Sequence, residues 1–153
     1  MHTTASVNQA SSKRTLFDEV GGLPILQKVH KIFYDKVYAH PWLKQFFAGH
    51  NQQIIEDRQT AFMGGKMGGP IEYLGKTLKM AHRHMYITEE LFELRRQLLI
   101  DSLCEAGVPA PLRERWLKID SAFKRMIVKK SIADFYHYTW NYQKRLIILK
   151  PNA

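Results

Sequence analysis

Apolar residues recur along this chain at the three- and four-residue spacing of helix faces, and no convincing pair of alternating strands occurs before residue 130. Thr15 reads as an N-cap for Leu16–Val20, with Asp18 at the third helical position, where a carboxylate meets free backbone N–H groups. Gly21-Gly22 ends that turn. Pro24 then sits in a helix's first turn, and Leu26, Val29, Phe33 and Val37 form one face of a second helix that stops near His40-Pro41. After Trp42–Phe47 and a break at Gly49-His50-Asn51, Ile55, Phe62 and Met63 mark a third helix from about Gln52, which Gly64 and Gly65 are expected to end. Five of the nine glycines fall between 64 and 75, which predicts a long, tightly folded loop. A short helix over roughly Thr77–Met85 follows. Thr88 caps a longer one, whose stripe is Leu91, Leu94, Leu98 and Ser102 with Phe92, Leu99 and Leu103 beside it. Gly107-Val108-Pro109 terminates it, and Trp116, Ile119, Phe123 and Ile127 define the last helix of the core.

The end of the chain fits two patterns. Tyr136, Tyr138, Trp140 and Tyr142 alternate as in a strand, whereas Phe135, Tyr138, Tyr142, Leu146 and Leu149 share a helix face, and helix is the preferred reading. So many aromatics would be a liability if exposed, so the segment is expected to pack on the domain or on a second copy. The division is therefore a loose arm over 1–14, one domain over 15–130, and a basic aromatic extension over 131–153. With 153 residues, 45% of them hydrophobic, the chain can build one proper core.

The formal charge of +9 invites a nucleic-acid reading, but only +2 of it lies within residues 15–124. The rest is at the ends, where residues 125–153 carry six basic side chains against Asp134. Nucleic-acid binding is therefore disfavoured. No run approaches the about 18 apolar residues of a membrane span, and the polar start lacks a secretory signal's apolar centre. The single cysteine, Cys104, suits a reducing compartment, so a cytoplasmic location is expected.

Gly75-Lys76-Thr77 imitates the end of a phosphate-binding loop, but Pro70 stands where that motif needs its first glycine and no strand precedes it. Among the seven histidines, His82 and His84 are the closest pair. At about 100° per residue their side chains diverge on a helix and cannot share one ion. A single histidine can instead be an axial ligand to an iron whose other nitrogens come from a porphyrin. His82 lies with Leu78, Ala81 and Met85 on one face of the short helix; a structural histidine in a helix seam is the alternative. Tyr34 and Gln59 are polar residues on apolar faces. They either satisfy each other in the core or direct donors into a pocket opposite His82. Arg95 lies on the stripe of Leu91 and Leu98, with its head expected to reach a carboxylate, a haem propionate being one candidate.

The order of motifs resembles the truncated haemoglobins, most closely the first of their groups. It runs from Leu16-Phe17 and Gly21-Gly22 through Phe33-Tyr34 with Val37 to His40-Pro41-Trp42-Leu43 and Phe46-Phe47. Gln59 with Phe62, Gly68-Gly69-Pro70, Tyr73-x-Gly75, Ala81-His82, Ile87-Thr88, Phe92 and Ala106-Gly107-Val108 continue it. The resemblance implies an all-α fold, a two-over-two helical sandwich around haem b. It makes His82 the proximal metal ligand, Phe47 the ring stacked on the porphyrin, Tyr34 and Gln59 the distal hydrogen-bonding pair, and Ile55 the guard of the distal face. Phe62, Met63, Leu78, Phe92 and Arg95 complete the expected cofactor pocket.

The implied function is binding of dioxygen, nitric oxide and carbon monoxide, with nitric oxide dioxygenation as an accompanying activity that needs an unidentified reductase. Alternatives are a gas sensor acting through the C-terminal tail, or a peroxidase-like redox protein. A homodimer through that tail is a further expectation. Three features depart from the family. Arg58 stands where some relatives carry a second iron-binding histidine, Arg95 replaces a small apolar residue, and the segment after Lys130 lies outside the pattern.

Overall fold

A computed structural model describes residues 14–138 and 144–152. Every named element within them is helical: α1 (Leu16–Val20), α2 (Leu23–Ala39), a 3-10 turn (Leu43–Phe47), α3 (Gln52–Lys66), α4 (Leu78–His82), α5 (Glu89–Glu105), α6 (Ala110–Ala122), α7 (Lys124–Ile127) and α8 (Ile132–Tyr138). Side-chain caps explain most starts. Thr15, Asn51, Thr77 and Thr88 each accept a backbone N–H of the first turn, and Thr15 and Asp18 form a reciprocal capping box. Gly21, at φ 113°, closes α1 in the left-handed region that side chains avoid.

The architecture is two pairs of helices: α2 packs on α3 and on α5, while α5 meets α6 and α6 meets α1. Leu26, Val29, Phe33 and Val37 from α2 are buried with Met63 from α3, Leu99 and Leu103 from α5, and Trp116 from α6. Phe92, Ile127 and Phe135 are buried apart from that main cluster.

Three expectations are corrected. Gly64 and Gly65 do not stop α3, which continues to Lys66; Gly64 is there for closeness, since a Cβ on it would stand 2.7 Å from Ile71 Cδ1. Gly69 has the same reason, its Cβ position lying 2.6 Å from the Phe17 ring. The last core helix is broken at Phe123 into α6 and α7, with the Phe123 ring seated edge-on against Phe62 at 5.3 Å. Finally, among its described residues the tail is helical over Ile132–Tyr138 only. Residues 144–152 form no helix: Leu146 pairs its backbone with residues 84 and 86 rather than with its own turn. Tyr142 and Trp140 lie outside the described residues.

Candidate functional site

The site grows from α4, whose N-cap Thr77 starts five residues and places His82 in their last turn. His82 Nδ1 lies 2.8 Å from the Leu78 carbonyl. A carbonyl only accepts, so Nδ1 carries the proton and donates, which leaves the lone pair on Nε2. No residue takes that lone pair among the described ones. Burial pulls the His82 pKa down to about 4, with the Leu78 hydrogen bond opposing it and the charges of Arg95, Lys129 and His84 adding to it. The ring is therefore neutral at physiological pH, yet its surface is still partly reachable by solvent.

On α2, Tyr34 is buried beside Phe33 and Phe47, with ring centroids 4.8 and 5.9 Å away. Burial raises its pKa well above the usual phenol range, so the hydroxyl stays a donor. It has no hydrogen-bond partner among the described residues, and neither has the half-buried Gln59 amide. The two therefore do not satisfy each other. Phe47 is half-buried against Tyr34 and Tyr38, Ile55 is half-buried against the core, and Met63 is fully enclosed. Phe62 sits further along α3 in a cluster with Tyr73 and Phe123.

Arg95 connects the two sides. Its guanidinium makes two parallel hydrogen bonds of 2.9 Å to the Asp120 carboxylate and lies over the rings of Phe33 and Phe92, 5.4 and 5.7 Å from their centroids. Its charge acts on both Tyr34 and His82. The carboxylate expected for Arg95 is thus Asp120, supplied by the protein itself. Asp120, 1% exposed, was missed by the sequence reading, although it stands one helical turn after Trp116 on the apolar stripe. His30 was missed too. It is buried, pairs its Nδ1 with Thr60 Oγ1 at 2.7 Å and meets Trp116 edge-on, and burial takes its pKa down to about 3. Its place next to Val29 on the packed side of α2 was the available signal.

A neutral imidazole with a free Nε2, together with a Tyr34 hydroxyl and a Gln59 amide that have no partner among the described residues, is a donor set that fits haem with a small polar ligand. The sequence pattern of the bacterial-like globin family matches residues 15–129. The chain belongs to the bacterial-like globins. Its relatives within that family are group 1 truncated haemoglobins. One from Mycolicibacterium paratuberculosis is 35% identical over 96 residues, covering 63% of this globin and 71% of the relative. Another from Tetrahymena pyriformis is 30% identical over 117 residues, covering 76% and 97%. The crystal structure of truncated haemoglobin from Tetrahymena pyriformis in its Fe(III) form superposes with a TM-score of 0.71 at 26% identity, over 76% of this globin and all of that chain. The fold is accordingly the two-over-two globin, and the family is one of haem proteins that bind diatomic ligands. No helix among the described residues is long and apolar enough to cross a membrane.

Proposed function

We propose that this globin holds haem b through an axial bond from His82 and binds dioxygen, nitric oxide or carbon monoxide on the opposite face. The observation that carries the reading is the His82 ring, neutral and oriented by Leu78 so that Nε2 is the free nitrogen. Haem, when bound, supplies the iron affinity for diatomic gases that side chains lack. The protein's own part is to shape what surrounds it. Tyr34, kept protonated by burial, and Gln59 donate hydrogen bonds to the polar ligand. Phe47, Ile55, Phe62 and Met63 keep water from the distal side, while Leu78 and Phe92 enclose the proximal one. Arg95, already neutralised by Asp120, braces the pocket from below through its stacking on Phe33 and Phe92.

The same pocket suits nitric oxide dioxygenation. Haem would supply the one electron needed to combine nitric oxide and dioxygen into nitrate, a reductase of unidentified kind would return it, and Tyr34 and Gln59 would hold the polar reactants by hydrogen bonds. The paired donors Tyr34 and Gln59 support this finer reading. The test is an absorption spectrum of protein reconstituted with haem, reduced, and exposed to carbon monoxide. A Soret band that shifts on gas addition is expected; its absence ends the haem reading. Rapid mixing of the oxygenated protein with nitric oxide should then yield ferric haem and nitrate in equal amounts, and failure of either product removes the dioxygenase reading.

A further inference from the structure

The helix that carries His82 is poorly anchored by itself. α4 has five residues, none of them buried, and a helix of that length has no cooperative stability of its own. What surrounds its C-terminal end is α7, which packs on α4, then Lys129, the last residue of the globin-family match, and Phe135 with residues 146–150, which lie beyond that match. Lys129 Nζ donates to the His82 carbonyl at 2.6 Å, and the Lys129 N–H donates to the Ile87 carbonyl at 2.9 Å. The Tyr86 N–H donates to the Leu146 carbonyl at 2.9 Å, and the Leu146 N–H returns to the His84 carbonyl at 2.8 Å. On one side of this rung the Trp42 indole N–H holds the Ile148 carbonyl at 2.9 Å, and on the other the Lys150 ammonium meets Glu90 at 2.6 Å. Phe135 of α8, fully buried, lies against the Tyr86 ring at 5.4 Å.

We propose that Lys129 and the extended segment around Leu146 form a strap that positions the proximal helix and so sets the direction and strength of the His82 bond to haem. The inference rests on the haem reading above. Leu78 fixes the ring relative to α4, α7 packs on that helix, and Met85 and Ile87 pack on the core; the strap and Lys129 add the directional bonds that set the loop after α4 relative to the rest of the fold. Outer partners of a metal-bound histidine act in this way, through ligand orientation rather than contact with the metal. Lys129 and Leu146 are therefore positioning residues. Simple coverage of an apolar surface would not aim a cation at the ligand's own carbonyl or place a backbone rung two residues after it.

The test uses the full chain loaded with haem and reduced without gas. The iron–histidine stretching band is recorded by resonance Raman spectroscopy, and haem release is timed by transfer to an excess of acceptor apoprotein. Lys129→Met removes the donor to the His82 carbonyl, and Leu146→Pro removes the N–H that reaches His84. Each is expected to shift and broaden the band and to speed haem release about tenfold, while Lys129→Arg, which keeps a donor, retains the wild-type band. If Leu146→Pro loses helix content by circular dichroism, Lys129→Met decides. A wild-type band that neither substitution alters overturns the strap and leaves the haem reading standing. A wild-type protein with no such band overturns both.

Discussion

The two faces of the site are built by different means. On the distal side, Tyr34 and Gln59 ride on α2 and α3, helices of 17 and 15 residues whose inward faces are buried in the main core. On the side proposed as proximal, His82 rides on five residues with no buried member, packed on the short α7 and held by hydrogen bonds from Lys129 and the loop that pairs with Leu146. One face draws its precision from two long helices in the main core, the other from a short helix on α7 and a few directional bonds. Damage to the packing behind the first should therefore register as lost stability, and damage to the bonds around the second as altered iron spectroscopy at nearly unchanged stability.

The largest effect separates the faces outright. His82→Ala should abolish the iron–histidine band while circular dichroism still reports the helices; a retained band would place the ligand elsewhere. Next is Asp120→Ala, which leaves the Arg95 guanidinium without its anion among packed rings. Removing one partner of such a pair costs about 3 kcal/mol in chemical denaturation. The double change Arg95→Met with Asp120→Leu should recover most of that loss, because two apolar groups replace two desolvated charges. Tyr34→Phe should leave denaturation almost unchanged but hasten oxygen release measured by stopped flow, since a hydrogen bond to a charged acceptor contributes about 1.5–3 kcal/mol. Unchanged release would remove Tyr34 from the distal pair.

The smallest effect is on pH dependence. His30 has a folded pKa of about 3 against an ordinary 6.5, so the unfolded chain binds the proton that the folded one refuses. Its contribution is fully present above about pH 6.5 and is lost progressively as pH falls toward 3. His30→Gln should flatten the slope of melting temperature between pH 7 and 5, in ~0.1 M salt to screen surface charges. An unaltered slope would show that His30 is not what acid destabilises.

Much of this was legible in the sequence because it is local. Thr15, Thr77 and Thr88 announce their helices within four residues, and the face of Leu26, Val29, Phe33 and Val37 is a property of α2 alone. The roles proposed for Tyr34, Gln59 and His82 rest on the ordered motifs of the resemblance rather than on any one spacing. What escaped depends on partners far along the chain. Gly64 and Gly65 look like a helix stop, and only the approach of Ile71 and Phe17 shows why small residues stand there. Arg95 was recognised as needing a carboxylate, but Asp120 lies 25 residues away. The tail's helical spacing around Leu146 and Leu149 was real but lost to a backbone pairing with residues 84 and 86 that no periodicity encodes.

The bond from Trp42 to Ile148 joins positions 106 apart. During synthesis the helix of His82 leaves the ribosome well before residues 144–152, at a rate of about 5–20 residues per second. For a few seconds the nascent globin has its histidine but not the brace, so on the strap reading proposed above haem captured in that interval would be held more loosely. Secure loading then becomes a late event in the life of the chain, timed by translation as much as by haem supply.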